Sequence, residues 1–269
     1  MSIASQVRLF VRRRLRFPVP DDALVLDVGS GDKPSWRADV LLDRYVDESY
    51  AGQRSGTSRA RVSRPLFDAD AADMPFRDDA FAYTICSNLL EHVPDPAAVL
   101  EELMRVSSAG YIEVPEAASA KIVDFPSHVW WCRLDTTERP PTLVFSAKSD
   151  RHFDPEIGAY LDRTGLDRRV ARVLDSRFED RVLMIDWRDK ISYRIEGRVP
   201  DDFMTHALEQ PGHGRTLSAT AILAATRALT LPRRRRARHR IRFDDIVKDE
   251  FRKGTDELLT RRIYRVDSA

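Results

Sequence analysis

Residues 24–33 read LVLDVGSGDK, an apolar run that ends at Asp27 and opens into a turn with two glycines. This pattern predicts a buried strand that runs into a tight turn. Gly29 and Gly31 suit the turn because glycine adopts backbone angles that other residues avoid, and because a Cβ would hold a ligand away from the main-chain amides. The stretch therefore predicts a nucleotide-like ligand at the end of the first strand.

Further strand-like runs follow at the spacing of parallel strands joined by crossovers. The predicted strands are 23–28, 40–43, 65–69, 81–87, 110–115 and 142–146, followed by 181–187 and 190–199 as an antiparallel hairpin. Asp95 is predicted to N-cap a helix that begins at Pro96. The sequence thus predicts a Rossmann-like, doubly wound, mostly parallel seven-stranded sheet with an antiparallel terminal hairpin and a helical C-terminal extension.

Polar side chains are found where the predicted strands end. Asp27 ends the first strand, Asp43 ends the second, Asp70 follows the third, and Ser87 and Asn88 follow the fourth. In open parallel sheets, ligands bind beyond the carboxyl ends of the strands, where the strand order reverses. We therefore expect these side chains to surround one ligand.

A nicotinamide dinucleotide is a rival ligand for the glycine turn. Its fingerprint needs a third glycine where Pro34 stands, and a ribose-binding acid about 20 residues further on. Asp43 lies only 12 positions after Gly31. A carboxylate accepts hydrogen bonds from a diol or an amine but repels phosphate, so the acids favour a ligand without phosphate.

Four blocks of the chain resemble a class I S-adenosylmethionine-dependent methyltransferase of the methyltransferase type 11 group. They are VLDVGSGDKP, LLDRY, DADAADMPFRDDAFAYTICSNLLEHVPDPAAVLEELMRV and AGYIEVP, and the resemblance covers residues 23–115. It implies S-adenosyl-L-methionine as cofactor. By position in the pattern, Asp27, Gly29 and Gly31 would border the methionine part, and Asp43 would accept hydrogen bonds from both ribose hydroxyls.

The resemblance also implies contacts for the rest of the cofactor. Asp70 would accept a hydrogen bond from the adenine amino group, with the Ala71 amide beside the ring, and Ser87 and Asn88 would lie near the sulfonium. One departure is the short segment between the first two strands. It predicts a loop or a single helical turn where the family often has a longer helix.

Candidate catalytic residues are His128 and His152, because a histidine near neutral pKa can remove a proton from a hydroxyl, and His92, because it resembles the histidine of the family block. Each could equally be a packed histidine. Glu91 follows Asn88 at the spacing of a capping box and could close a short helix. Some related quinone methyltransferases bind a metal through an E-x-x-E-H pattern, but Asn88 replaces the first acid here. The sequence therefore predicts no metal site.

Composition narrows the function classes. Apolar residues make up 42% of the 269-residue chain, and the formal net charge is +1, which argues against a surface built for nucleic acid or anionic lipid. Two cysteines, no secretory signal pattern and no run of about 20 apolar residues predict a cytoplasmic protein without a transmembrane segment. The arginine run at 233–240 reads as solvated or ion-paired, with nucleic-acid binding as the alternative.

The predicted organisation has three parts. A basic amphipathic helix lies in residues 1–20, with its arginines in water or facing a membrane surface or an anionic substrate. The cofactor-binding domain spans 21–200, with an acceptor-site insertion at 116–150, and a helical extension spans 201–269. We expect methyl transfer to a small-molecule or glycan acceptor, at oxygen. The alternatives are a non-catalytic S-adenosylmethionine-binding protein and a nicotinamide-dependent oxidoreductase.

Overall fold

The fold was analysed in a computed structural model, which describes residues 3–46, 59–122, 125, 127–148, 155–166, 169–170, 173–174, 177–208, 217–234 and 240–266. The strands are β1 Val25–Val28, β2 Val40–Asp43, β3 Leu66–Asp68, β4 Tyr83–Ser87, β5 Ala109–Pro115, β6 Trp130–Asp135, β7 Thr142–Ala147, β8 Val182–Arg188, β9 Tyr193–Glu196 and β10 Ile263–Arg265. The helices are α1 Ile3–Arg14, α2 Pro96–Val106, α3 Ala117–Ile122, α4 Pro155–Thr164, α5 Phe178–Arg181, α6 Asp201–Leu208, α7 Leu217–Arg234 and α8 Phe243–Ile246, followed by a 3-10 helix, Asp249–Phe251.

Seven strands form the main sheet, in the order β10-β3-β2-β1-β4-β5-β8. All neighbouring pairs are parallel except β5 and β8, which pair antiparallel. The strand order reverses between β1 and β4, because the chain fills one half of the sheet and then returns to the other side of β1. The Rossmann-like, mostly parallel fold predicted from the sequence is confirmed.

The central strands β1 and β2 are buried along their whole length because helices and loops cover both faces of the sheet. On one face, Val99, Leu100 and Leu103 of α2 join the largest core cluster. Asp95 N-caps this helix, since its Oδ1 accepts a hydrogen bond from the Ala98 amide at 3.1 Å. The opposite face is covered by the segment after α1, where Phe17 packs against the cluster around β1 and β4.

The predicted hairpin at 181–199 is wrong in its pairing. β8 pairs along seven residues with β5 of the main sheet, whereas β9 pairs parallel with β7 in a second sheet of order β6-β7-β9. The chain does turn at Asp189, but Ile191 is then buried, with its amide against the Met104 sulfur. Burial of Ile191 directs β9 away from β8.

The C-terminal extension, 201–269, was predicted to be helical. It also contains a strand. Its strand β10 pairs parallel with β3 and completes the main sheet at that edge. Tyr264 of β10 stacks on Phe67 with ring centroids 5.2 Å apart, which ties the extension to the core. Within the described residues, no helix is long and apolar enough to cross a membrane.

Candidate functional site

Two adjoining cavities open beyond the carboxyl ends of β1, β2 and β4, where the strand order reverses. The larger, of about 260 Å³, is called the arginine cavity because arginines 13, 14, 61, 64 and 227 line it. The smaller, of about 110 Å³, is called the aspartate cavity because Asp43 and Asp70 line it. Gly29, Gly31 and Asn88 line both cavities, so one extended ligand could occupy the two.

All eight predicted cofactor-binding residues line these cavities. The arginine cavity includes Asp27, Gly29, Gly31, Ser87 and Asn88, and the aspartate cavity adds Asp43, Asp70 and Ala71. The topology brings together residues that are far apart in sequence because parallel strands end at one edge of the sheet. Their individual roles stay predictions.

The glycine turn has the backbone that its sequence predicts. Gly29 and Gly31 have φ values of 69° and 51°, and a Cβ on Gly29 would lie 2.9 Å from a methyl carbon of Leu89. The segment between β1 and β2 forms turns and no helix, as expected. Residues 31–36 of this segment line the arginine cavity.

Asp27 is a buried acid of the site with a raised pKa. Its Oδ2 accepts a hydrogen bond from the Ser35 amide at 2.6 Å. Burial nevertheless raises the pKa of Asp27 to about 7, and the nearby carboxylate of Asp43 adds to the rise. The side chain therefore titrates near neutral pH and gains from a cationic partner.

The other two acids already hold the backbone of the site. Asp43 Oδ2 accepts a hydrogen bond from the Gly31 amide at 2.5 Å, which fixes the glycine turn to the end of β2. Asp70 Oδ1 accepts from the Ala72 amide at 2.9 Å, and its Oδ2 forms an ion pair with Arg44. Both carboxylates line the aspartate cavity.

Asn88 joins the two cavities in a left-handed backbone conformation, with a φ of 53°. Asparagine tolerates this conformation better than most residues. Its amide donates to the Glu113 carbonyl at 2.8 Å, and its side-chain nitrogen lies 3.3 Å from Glu113 Oε1. Asn88 is thereby held at the end of β4 by the neighbouring strand.

The basic N-terminal helix lines the site, whereas the sequence placed its arginines in water, at a membrane surface or against an anionic substrate. Arg13 forms an ion pair with the buried Glu113, which also accepts a hydrogen bond from the Tyr111 hydroxyl at 2.7 Å. This pairing lowers the pKa of Glu113 despite its burial. The alternative in which all helix arginines lie in water is therefore wrong for Arg13. The signal in the sequence was the run of arginines 12 to 14 at the end of an amphipathic helix.

Two of the predicted catalytic histidines lie together, and His152 falls outside the described residues. The rings of His92 and His128 meet edge to face with centroids 4.7 Å apart. His92 lines the aspartate cavity, and neither ring lines the arginine cavity. Burial lowers the pKa of His92 to about 4 and that of His128 well below its usual range. Both rings are therefore neutral at pH 7.

Glu91 does not close a helix as a capping box would. Residues 88–93 form turns, and neither carboxylate oxygen of Glu91 accepts a hydrogen bond from a described residue. The local pattern allowed a cap, but the chain folds over Glu91 and buries it completely.

A change of Asp27 to asparagine is expected to remove the pH dependence of cofactor binding. In its predicted role beside the methionine part of the cofactor, an ionised Asp27 would attract the ammonium group, and with a pKa of about 7 it is mostly protonated at pH 6. Affinity for S-adenosylhomocysteine in the unmodified chain should therefore fall about tenfold from pH 7.5 to pH 6. Calorimetric titration at both pH values measures this, and parallel profiles for the chain and Asp27→Asn would contradict it.

Comparison with known proteins finds a family match over the segment that carries most of this site. Residues 26–112 match the family model Methyltransf_11, described as a methyltransferase domain. The resemblance predicted for residues 23–115 is therefore confirmed over that segment, which contains all eight predicted cofactor-binding residues. Residues 26–112 are therefore similar to a methyltransferase domain, which implies S-adenosylmethionine as cofactor.

Two relatives called uncharacterized methyltransferases, from Mycobacterium sp. strains KMS and MCS, are each 31% identical to this chain over 101 residues. These matches cover 35% of this chain, and the chain spans 38% of the length of these relatives. Among solved structures, the PH0226 protein from Pyrococcus horikoshii is 16% identical with a TM-score of 0.32, covering 54% of this chain and 76% of that one.

Proposed function

We propose that this chain transfers a methyl group from S-adenosylmethionine to oxygen of a small-molecule or glycan acceptor. The observation that carries the proposal is the arrangement of Asp27, Asp43 and Asp70 around two joined cavities at the strand-order reversal. Carboxylates are hydrogen-bond acceptors that suit an ammonium, a ribose diol and an adenine amine. They would repel the pyrophosphate of a dinucleotide, which disfavours the oxidoreductase alternative.

Each acid has a distinct task in this proposal. Asp27 would pair with the ammonium group of the methionine part. Asp43 would accept from the ribose hydroxyls while it still holds the Gly31 amide. The adenine amine would compete with Arg44 for Asp70, because the Asp70 carboxylate already forms an ion pair with Arg44.

Arg14 is our candidate for holding the methionine carboxylate. It lines the arginine cavity beside Asp27, and its buried Nε has no hydrogen-bond partner among the described residues. Burial and the neighbouring Arg13 lower the pKa of Arg14. An anion bound here would offset both the desolvation of the guanidinium and its repulsion from Arg13. Arg14 would thereby be the carboxylate-binding group that the short loop between β1 and β2 does not provide.

The charge of the arginine cavity favours an acceptor that is itself negatively charged. Lys33 and Arg61 line it from two loops, and Arg227 lines it from α7. Arg227 is exposed, so it could contact an acceptor that enters from solvent. A carboxylated or phosphorylated sugar fits this lining better than a neutral one.

Placement is the main contribution that the chain makes to the reaction. The bound cofactor supplies a methyl group already activated by the sulfonium. In-line positioning of two reactants lowers the activation free energy by roughly 7–11 kcal/mol. Asn88, whose side chain is held by Glu113, would line the space between the cofactor and the acceptor. Proton removal by His92, His128 or His152 stays a prediction; burial makes His92 a weak base.

The proposal is tested by thermal unfolding with S-adenosylhomocysteine and, in parallel, with NADH. A ligand at 100 times its Kd stabilises by about 2.7 kcal/mol, which corresponds to roughly 5–11 °C in this size range. We expect a shift with the homocysteine product and none with NADH. Methyl transfer from labelled cofactor is then measured on neutral, carboxylated and phosphorylated sugars.

The outcomes separate the alternatives. A shift with NADH alone would overturn the proposal in favour of an oxidoreductase. A shift with S-adenosylhomocysteine but no transfer to any acceptor would favour a non-catalytic cofactor-binding protein. Transfer to neutral sugars as fast as to charged ones would leave the methyltransferase in place but remove the role of the arginine cavity.

A further inference from the structure

Glu91, His92 and His128 form a compact cluster beside the aspartate cavity. Glu91 and His92 belong to the turn after β4, and His128 lies just before β6. A main-chain hydrogen bond of 2.8 Å from Val129 to the Glu91 carbonyl joins the two segments. One side-chain ligand atom from each of the three residues lies within 4.8 Å of the other two.

The Glu91 carboxylate is the feature that calls for an explanation. Its side chain is 0% exposed, and neither oxygen accepts a hydrogen bond from another described residue. An ionised carboxylate that is buried without a partner is costly. Buried carboxylates in proteins are therefore ion-paired or coordinate a metal. A cation in the cluster would remove this cost.

Both histidines present a nitrogen in the form that a metal needs. His92 Nδ1 lies 2.8 Å from the Ser127 carbonyl, so Nδ1 carries the proton and Nε2 is left as an acceptor. That Nε2 lies 4.0 Å from Glu91 Oε1, a gap too long for a hydrogen bond. The buried His128 Nδ1 also lacks a partner among the described residues. Metal-binding histidines commonly donate their other ring nitrogen to a carbonyl, as His92 does.

We propose that Glu91, His92 and His128 bind a zinc ion, or a first-row divalent ion of the same ligand preference. Two imidazole nitrogens and one carboxylate oxygen are a ligand set that zinc accepts, with a fourth position left open. His92 borders the aspartate cavity, so the open position lies on that side. The ion would tie the turn that carries Asn88 to the segment before β6 and so hold the cavity wall in place.

The sequence predicts no metal because the local pattern Asn88 to His92 lacks one acid. The structure gives a reason to revise that prediction. The third ligand, His128, lies 36 positions beyond His92, so no local pattern includes it. Lys148 opposes the ion to some degree, since its charge lowers the pKa of both imidazoles. Its ammonium lies 3.8 Å from the centre of the Trp131 ring, which offsets part of that charge.

The test is titration of the chelator-treated full chain with zinc sulfate alone, followed by calorimetry and by thermal unfolding. The variants are Glu91→Gln and His128→Gln, and the control is Glu179→Gln, an exposed carboxylate on α5. We expect one zinc per chain and a raised Tm for the unmodified chain and the control. Each cluster variant should bind zinc at least about 100-fold more weakly, because each removes a ligand.

Folding of the variants is checked in the same experiment. Without metal, Glu91→Gln should unfold at about the same temperature as the unmodified chain, because the amide is uncharged and has nearly the shape of the buried carboxyl group that it replaces. Zinc binding that is absent from the unmodified chain, or equal in all four proteins, would overturn the proposal. No cofactor or acceptor is present, so the result is independent of the proposed methyl transfer.

Discussion

Replacement of Gly110 by alanine is expected to destabilise the fold more than any other single change considered for this chain. Gly110 is the second residue of β5 and lies between Thr84 of β4 and Trp187 of β8. An added Cβ would lie 2.4 Å from Thr84 Oγ1, 2.6 Å from Trp187 Nε1 and 2.7 Å from the Thr84 carbonyl oxygen. One of these contacts is backbone, so a side-chain rotation cannot relieve all three.

The expected loss is about 3 kcal/mol in the free energy of unfolding, because overpacking a filled core forces strained side chains and backbone shifts. For a chain of this size the loss corresponds to roughly 6–12 °C in Tm. Gly254→Ala is the matched control. Gly254 has a φ of 64° but nothing within 4 Å of an added Cβ, so only backbone strain of about 1–2 kcal/mol remains. Equal losses in both variants would contradict the packing argument.

Replacement of Asp43 by alanine should abolish most of the affinity for S-adenosylhomocysteine. The variant loses the acceptor proposed for the two ribose hydroxyls and also frees the Gly31 amide that Asp43 holds. Hydrogen bonds to charged groups contribute about 1.5–3 kcal/mol each. A loss of about 3 kcal/mol corresponds to a Kd raised at least about 100-fold. Isothermal calorimetry measures the change.

Asp68→Ala is the control for the Asp43 variant. Asp68 is the register partner of Asp43 on the next strand, yet it lines neither cavity and pairs with Arg265 at 3.1 Å. Its removal should leave the Kd unchanged. If the two variants bound S-adenosylhomocysteine equally well, the assignment of Asp43 to the ribose would fail. Circular dichroism checks that both variants keep the fold.

Much of the fold could be read from local patterns. The runs around β1, β2 and β4 are apolar because these strands are buried on both faces, and burial makes them recognisable without knowledge of their partners. The turn after β1 needs Gly29 and Gly31 for backbone reasons that are also local. The helix start at Asp95 and Pro96 follows the same logic, since a cap involves only neighbouring residues.

Pairing between distant segments could not be read in this way. The alternating pattern of β9 does not specify which strand edge it pairs with. In the structure Ile191 is buried before β9 begins, and β9 pairs with the edge of β7. Similarly, a short run such as β10 carries too few residues for its pattern to predict a place in the main sheet.

The sequence by itself determined the class of fold, the glycine turn and the row of acids at the strand ends, because each depends on residues close together along the chain. Tertiary structure alone decided that Arg14 of the first helix lines the cavity of Asp27, and that His128 meets Glu91 and His92. Both encounters depend on the packing of segments far apart in sequence. Burial then sets the charge of these groups, since the cost of desolvation depends on what surrounds a side chain.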